Sequence, residues 1–189
     1  IIITGGLGYI GTELCKLYSG VSWNNQIIII DNRFISERVN QIRNWNMEFI
    51  HGDILDKELV KKTFKDADIV HHLAGVTQVP RTKSEATEDK DDKIKLVGVE
   101  GTQNILDVIK DKCKIIFPST HVVYEGVEKV KNDISEEEDL KPILSYSNSK
   151  AINENQLKRS GKNYVILRLG SVYGYSTDTA RIDIMPNLF

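Results

Sequence analysis

Cysteine is scarce in this chain. The 189 residues hold two, Cys15 and Cys113, which match no metal-ligand spacing and read as reduced thiols of a cytosolic protein. An excess of one charge is lacking too: 25 Lys and Arg stand against 27 Asp and Glu, a net charge of −2, so no basic surplus points to nucleic acid. No apolar run approaches the roughly 18–20 residues of a membrane-spanning helix. The opening "IIITGG" follows no basic segment and does not read as a secretory leader. There is no internal repeat and no low-complexity linker. What remains is an ordinary globular balance, 40% hydrophobic and 28% charged.

The apolar residues present come in short continuous runs: Ile1–Ile3, Ile27–Ile30, Met47–Ile50, Ile69–Leu73, Ile115–Phe117 and Tyr164–Leu169. Continuity rather than alternation predicts strands buried on both faces. Between them lie stretches of helical character at Asp56–Lys65, Ile94–Lys110 and Tyr146–Lys158, the second with Ile94, Val97, Ile105, Val108 and Ile109 near helical spacing. Strand–helix alternation predicts an α/β fold, a doubly wound parallel sheet. The charged "EATEDKDDK", Glu85 to Lys93, reads as a solvated loop or helix start, and "SEEEDL", Ser135 to Leu140, as surface.

Four glycines follow the first run. Gly6, Gly8 and Gly11 fit G-x-G-x-x-G; Gly5, Gly8 and Gly11 fit the wider G-x-x-G-x-x-G. Both place a tight strand-to-helix turn where backbone N–H groups can approach a pyrophosphate, with a helix N-terminus near Tyr9 behind them. A turn that merely needs glycine would look similar, but Asp31 ends the next run 20 residues after Gly11, the place of a carboxylate binding a ribose 2′-hydroxyl. That acid favours NAD over NADP, although Arg33 could accommodate a 2′-phosphate. In "HGDI", Asp53 could pair with adenine while Ile54 packs on the ring, or Asp53 could cap the helix ahead of "LDKELV".

In "YSNSK", Tyr146 and Lys150 lie four apart and share a helix face. A nearby ammonium favours the phenolate and suits the tyrosine to general-base work. In isolation such a pair is also a common surface accident. Thr120 in "PSTHVVYEG" would stand at a strand's carboxyl end, where open α/β sheets bind ligands. His71 and His72 are adjacent on a strand and point to opposite faces. Neither they nor His51 and His121 have partners at ligand spacing, and no metal is expected.

Together, "TGGLGYIG", Asp31–Asn32, "GDI", "HLAG", "STHVVY", "YSNSK" and "RLGSVYG" resemble the extended short-chain dehydrogenase/reductases, in particular the NAD-dependent nucleotide-sugar epimerase/dehydratase group. The resemblance implies a Rossmann-type fold over residues 1–175, carrying cofactor and catalytic groups, with 176–189 opening a substrate-binding region that continues in a longer protein. It places Gly5, Gly8, Tyr9, Ile10 and Gly11 along the pyrophosphate and Asp31 and Asn32 at the adenosine ribose. Asp53 and Ile54 would flank adenine, and Leu73, Ala74 and Gly75 would run along the cofactor. Thr120, Tyr146 and Lys150 become the catalytic group, Lys150 also bonding the nicotinamide ribose. Thr77, Arg181 and Asn187 are substrate-side candidates, and a homodimer is implied.

The chain departs from the group's pattern at three places. His121 and Val122 stand where the acid pair of 4,6-dehydratases is expected, Gly98 where Asn is usual, and Gly75 where a second alanine is common. The reading that follows is an NAD-dependent nucleotide-sugar 4-epimerase working through a transient 4-keto sugar. The alternatives are a net NAD(P)-dependent oxidoreductase and a non-catalytic dinucleotide-binding module.

Overall fold

The computed structural model describes residues 1–21, 25–76, 87–128, 131–174 and 176. Six parallel strands form one sheet: β1 (Ile2–Thr4), β2 (Ile28–Asp31), β3 (Glu48–His51), β4 (Ile69–His72), β5 (Lys114–Thr120) and β6 (Asn163–Leu169). Their order across the sheet is β3-β2-β1-β4-β5-β6. The chain reverses its direction of progress at β1, which pairs with β2 on one side and β4 on the other. This opens a crevice outside the carboxyl ends of β1 and β4, where such sheets bind ligands.

The isoleucine runs are continuous because both faces of the sheet are covered. Ile2, Ile30 and Val70 join one buried cluster with Val60, Phe64, Ile105 and Leu157, under the helices α3 (Lys57–Phe64), α5 (Gly101–Val108) and α6 (Ser145–Arg159). Their neighbours Ile3 and Ile29 face the other way, toward Cys15, Val39 and Ile42 of α1 (Tyr9–Ser19) and α2 (Ser36–Asn44). Each such side chain contributes about 1.5–3 kcal/mol when fully buried. Two-sided burial fails at the sheet's edges. Glu48 and His51 of β3 are exposed, and in β6 Tyr164, Val165 and Leu167 are 38%, 38% and 43% exposed.

One helical expectation is corrected, and one open alternative is closed. The predicted helix from Ile94 starts earlier, as α4 (Glu88–Lys95), so part of the charged stretch is helical. It is then interrupted by a π turn, Leu96–Glu100, before α5. The cap of α3 is Asp56, whose carboxylate accepts from the N–H groups of Glu58 (3.1 Å) and Leu59 (3.0 Å), so Asp53 does not have that role. Among the described residues no helix is long and apolar enough to cross a membrane.

Candidate active site

The glycine turn forms the floor of the crevice. Gly5 has φ +67°, and a Cβ there would lie 2.8 Å from the Ala74 nitrogen, so only glycine lets β1 turn this close to β4. At Gly11 a Cβ would come within 2.3 Å of the Gly5 carbonyl oxygen, so glycine also lets α1 seat on the turn. Gly8 precedes the first residue of α1, which brings the positive end of that helix to the crevice. Beside Gly75 a Cβ would meet nothing within 4 Å. Backbone closeness at Gly5 and Gly11 and open space at Gly75 suit an extended diphosphate-containing ligand.

One end of the crevice lies beyond β2. Asp31 is 6% exposed; its carboxylate accepts from the N–H groups of Leu7 (3.0 Å) and Arg33 (3.0 Å) and from Arg33 Nε (3.3 Å). It thus ties the glycine turn to the end of β2. Asn32 donates to Asp53 at 2.9 Å, and the other Asp53 oxygen accepts from Leu55 N–H at 3.0 Å. Asp31, Asn32, Arg33, Asp53 and Ile54 line this end together. The other end carries Thr120, Tyr146 and Lys150. Gly5, Gly8, Tyr9, Leu73, Ala74 and Gly75 line both ends, and Ile10 and Gly11 the second. Thr77, Arg181 and Asn187 lie outside the described residues.

Local sequence places the three polar groups. The pairing of β4 with β5 stops at Ile116, so Pro118 costs no hydrogen bond to β4, and its carbonyl accepts from Lys150 Nζ at 2.9 Å. The Lys150 ammonium lies 4.4 Å from the Phe117 ring centre and 5.9 Å from that of Tyr146. Its burial pushes the lysine down to about 8. Thr120 ends β5 and accepts from Val122 N–H at 3.3 Å, starting the 3₁₀ turn His121–Tyr124. His121 is turned to the Leu169 carbonyl, 3.1 Å from Nδ1.

Several supporting groups were not legible as such. Glu125 accepts from the N–H groups of Ile143 (2.6 Å) and Leu144 (2.7 Å) and from Ser147 Oγ, fastening the start of α6 beside Tyr146. Glu154 has no exposed side-chain surface and accepts from Ser119 Oγ (2.6 Å), Arg168 Nε (3.0 Å) and Arg168 Nη2 (2.7 Å). Burial works against its carboxylate, but the bonds from Arg168 and Ser119 outweigh it and hold the pKa below the ordinary value. The spacing Tyr146, Lys150, Glu154 repeats every four residues, a signal that these polar groups share one face of α6.

The two adjacent histidines do face opposite sides. His71 Nε2 meets the Tyr18 hydroxyl of α1 at 2.8 Å. His72 bridges Thr4 Oγ1 (Nδ1, 2.9 Å) and Thr102 Oγ1 (Nε2, 3.0 Å) on the other face. Burial lowers the pKa of both, that of His72 to about 3. Cys15 and Cys113 are buried and unpaired, and burial raises both thiols, Cys15 to about 12, which leaves them unreactive.

The sequence model of the NAD dependent epimerase/dehydratase family matches residues 1–187. A putative UDP-glucose 4-epimerase of Methanocaldococcus jannaschii is 33% identical over 94% of this chain and 57% of its own length. A dTDP-D-glucose 4,6-dehydratase of Dictyostelium discoideum is 30% identical over 92% of this chain and 44% of its own. Among solved structures, UDP-glucose 4-epimerase from Brucella ovis in complex with NAD superposes with a TM-score of 0.75 at 29% identity, covering 94% of this chain and 53% of that one. The chain thus spans about half the length of the curated relatives it matches. The chain belongs to the NAD-dependent epimerase/dehydratase family, and its cofactor is NAD.

Proposed function

We propose that the full-length protein is a nucleotide-sugar 4-epimerase. The observation that carries this reading is the composition of the catalytic end of the crevice. Tyr146 and Lys150 of α6 face the end of β5 with Thr120, while the two positions after Thr120 hold His121 and Val122 rather than carboxylates. Epimerisation through a keto sugar needs a proton acceptor for one hydroxyl and a means of lending and regaining a hydride. Elimination of water needs a further acid–base pair.

In this reading Tyr146, as phenolate, takes the proton from the sugar 4-hydroxyl, and Thr120 Oγ1 shares that hydrogen bond. Lys150, nearly buried against Phe117 and tied to the Pro118 carbonyl, supplies the positive charge that keeps the phenol acidic. NAD, when bound in the crevice, would supply the hydride acceptor and donor. The keto sugar turns over before Tyr146 gives the proton back, so no NADH accumulates. Asp31 holds the adenosine ribose and Gly5, Gly8 and Gly11 admit the pyrophosphate.

The test is a panel of UDP-, GDP-, dTDP- and CDP-hexoses with the full-length protein and catalytic NAD, followed by proton NMR and by absorbance of NADH. A 4-epimer without NADH supports the reading. A keto or acid product with stoichiometric NADH overturns it in favour of an oxidoreductase, and NAD binding with every sugar unchanged overturns it in favour of a non-catalytic module.

A further inference from the structure

The π turn between α4 and α5 is the point where those helices meet α6. Gly98 sits at its centre, and a Cβ there would fall 2.2 Å from Ser149 Oγ, so α6 lies directly against this backbone. The Gly98 carbonyl accepts from Thr102 Oγ1 (2.6 Å) and from the side-chain amide of Asn153 (3.0 Å). Asn153 is 1% exposed. Its Nδ2 also lies 3.2 Å from Thr102 Oγ1 and 2.8 Å from Gln156 Oε1.

These bonds continue across the sheet, and one order of their protons gives every donor an acceptor. Ala74 N–H donates to Thr4 Oγ1 at 3.0 Å. In that order the Thr4 hydroxyl gives its proton to His72 Nδ1. His72 then carries its own proton on Nε2 and donates it to Thr102 Oγ1. The Thr102 hydroxyl then donates to Gly98 O, where the Asn153 amide also ends. The buried, neutral state of His72 agrees with this order. A fully paired buried chain of this kind defines one arrangement of the elements that carry it. It runs from Ala74, on the crevice floor, to α6. Asn153 is three residues after Lys150 and seven after Tyr146, on the same side of the helix.

We propose that Asn153 is a positioning residue: its amide, fastened to the Gly98 carbonyl in the π turn, sets where α6 seats and so where Tyr146 and Lys150 stand over the crevice. This rests on the reading of Tyr146 and Lys150 as the proton-transfer pair. Asparagine fits the place because it brings two donors and no charge. Leucine has its shape without the donors. Gly98, where the resemblance anticipates Asn, leaves room for the amide to arrive from α6 instead.

The experiment uses full-length wild type and Asn153→Leu, with Asn153→Ser as a second variant that keeps one donor and less bulk. Three quantities are measured: NAD affinity; kcat and KM; and the ionisation of Tyr146 with NAD bound, taken as the ultraviolet difference between each protein and its Tyr146→Phe counterpart. A displacement of about 1 Å in a reacting group costs on the order of 100-fold. Accordingly, Asn153→Leu is expected to lower kcat by about 10- to 100-fold, leave KM and NAD affinity within about threefold, and move the Tyr146 ionisation upward. Asn153→Ser should fall between. If the variants unfold at lower temperature but keep kcat and the Tyr146 ionisation, Asn153 is only a structural residue and the proposal is wrong. Should no sugar turn over even in wild type, the epimerase reading fails while the tyrosine titration still decides this one. An ordinary Tyr146 ionisation in wild type overturns the proposal together with the proton-transfer role.

Discussion

Lys150 donates from Nζ to the carbonyl oxygen of Pro118, 2.9 Å away. A buried ammonium held by one carbonyl and two aromatic rings is poorly solvated, which is why its pKa falls to about 8. Function here is expected to cost stability. In the unfolded chain the lysine titrates near 10.5, so between pH 8 and 10.5 the unfolded state holds a proton that the folded state has released. Stability contributed at this site therefore rises with pH across that window. Measured without cofactor by denaturant unfolding, wild type should gain on Lys150→Met as pH climbs from 8 to 10.5, while the variant has lost turnover. A pH-independent difference between the two would show that the ammonium is not held in this environment.

Tyr146→Phe should reduce turnover by about 10²- to 10⁴-fold, the usual range for a lost general base. NAD binding should change little, because the glycine turn and Asp31 are untouched. Calorimetric titration with NAD beside the turnover assay checks both halves, and substantial residual turnover would remove Tyr146 from its assigned role.

Asp31 joins the glycine turn to β2 through Leu7 N–H and is paired with Arg33. Asp31→Asn keeps the shape but loses the charge. Hydrogen bonds to a charged group contribute about 1.5–3 kcal/mol, so NAD affinity should fall by roughly 10- to 100-fold. NADP should gain relative to NAD, since the carboxylate no longer repels a 2′-phosphate and Arg33 is released from it. Dissociation constants for both cofactors decide this; an unchanged preference would place the ribose elsewhere.

Glu154 and Arg168 join α6 to β6, and Glu154 also reaches Ser119, next to Thr120. Removing one partner of a buried pair leaves the other uncompensated, at about 3–5 kcal/mol. Glu154→Leu should lose stability on that scale. The double change Glu154→Leu with Arg168→Met should recover most of it, because an apolar pair avoids the desolvation of both charges. Urea unfolding of the three proteins measures this.

His72 is fully buried and neutral between Thr4 and Thr102. Its pKa, about 3 folded against 6.5 as a free side chain, means that below pH 6.5 unfolding takes up a proton. Its contribution is complete above pH 6.5 and is lost as pH falls toward 3, at a slope of up to about 1.4 kcal/mol per pH unit. His72→Gln should be less stable at neutral pH and lack this component of acid sensitivity, as seen by comparing unfolding midpoints at pH 4.5 and 7.

Much of the fold was readable because its signals are local. Isoleucine runs that bury both faces cannot be mistaken for surface, and the turn at Gly5 admits no side chain. The remainder depended on tertiary partners. Helix α2 is polar, and its buried Arg38 donates to the Leu7 carbonyl. The π turn at Gly98 follows from what α6 presents to it. Asn153 and Glu154 look like surface residues until their partners Gly98, Arg168 and Ser119 are assembled from distant segments. The sequence offered Asp53 as a cap for α3, and the geometry of the chain after β3 gives that role to Asp56 instead.

In the proposed epimerisation a hydride leaves C4 of the sugar and returns to the same carbon while Tyr146 handles the proton. The most direct measurement uses the hexose identified by the substrate panel, deuterated at C4, with the full-length protein in ordinary water. Both epimers recovered at equilibrium should retain deuterium at C4, and NADH should stay at trace level. Loss of the label from C4, to solvent or to another carbon, would rule this route out.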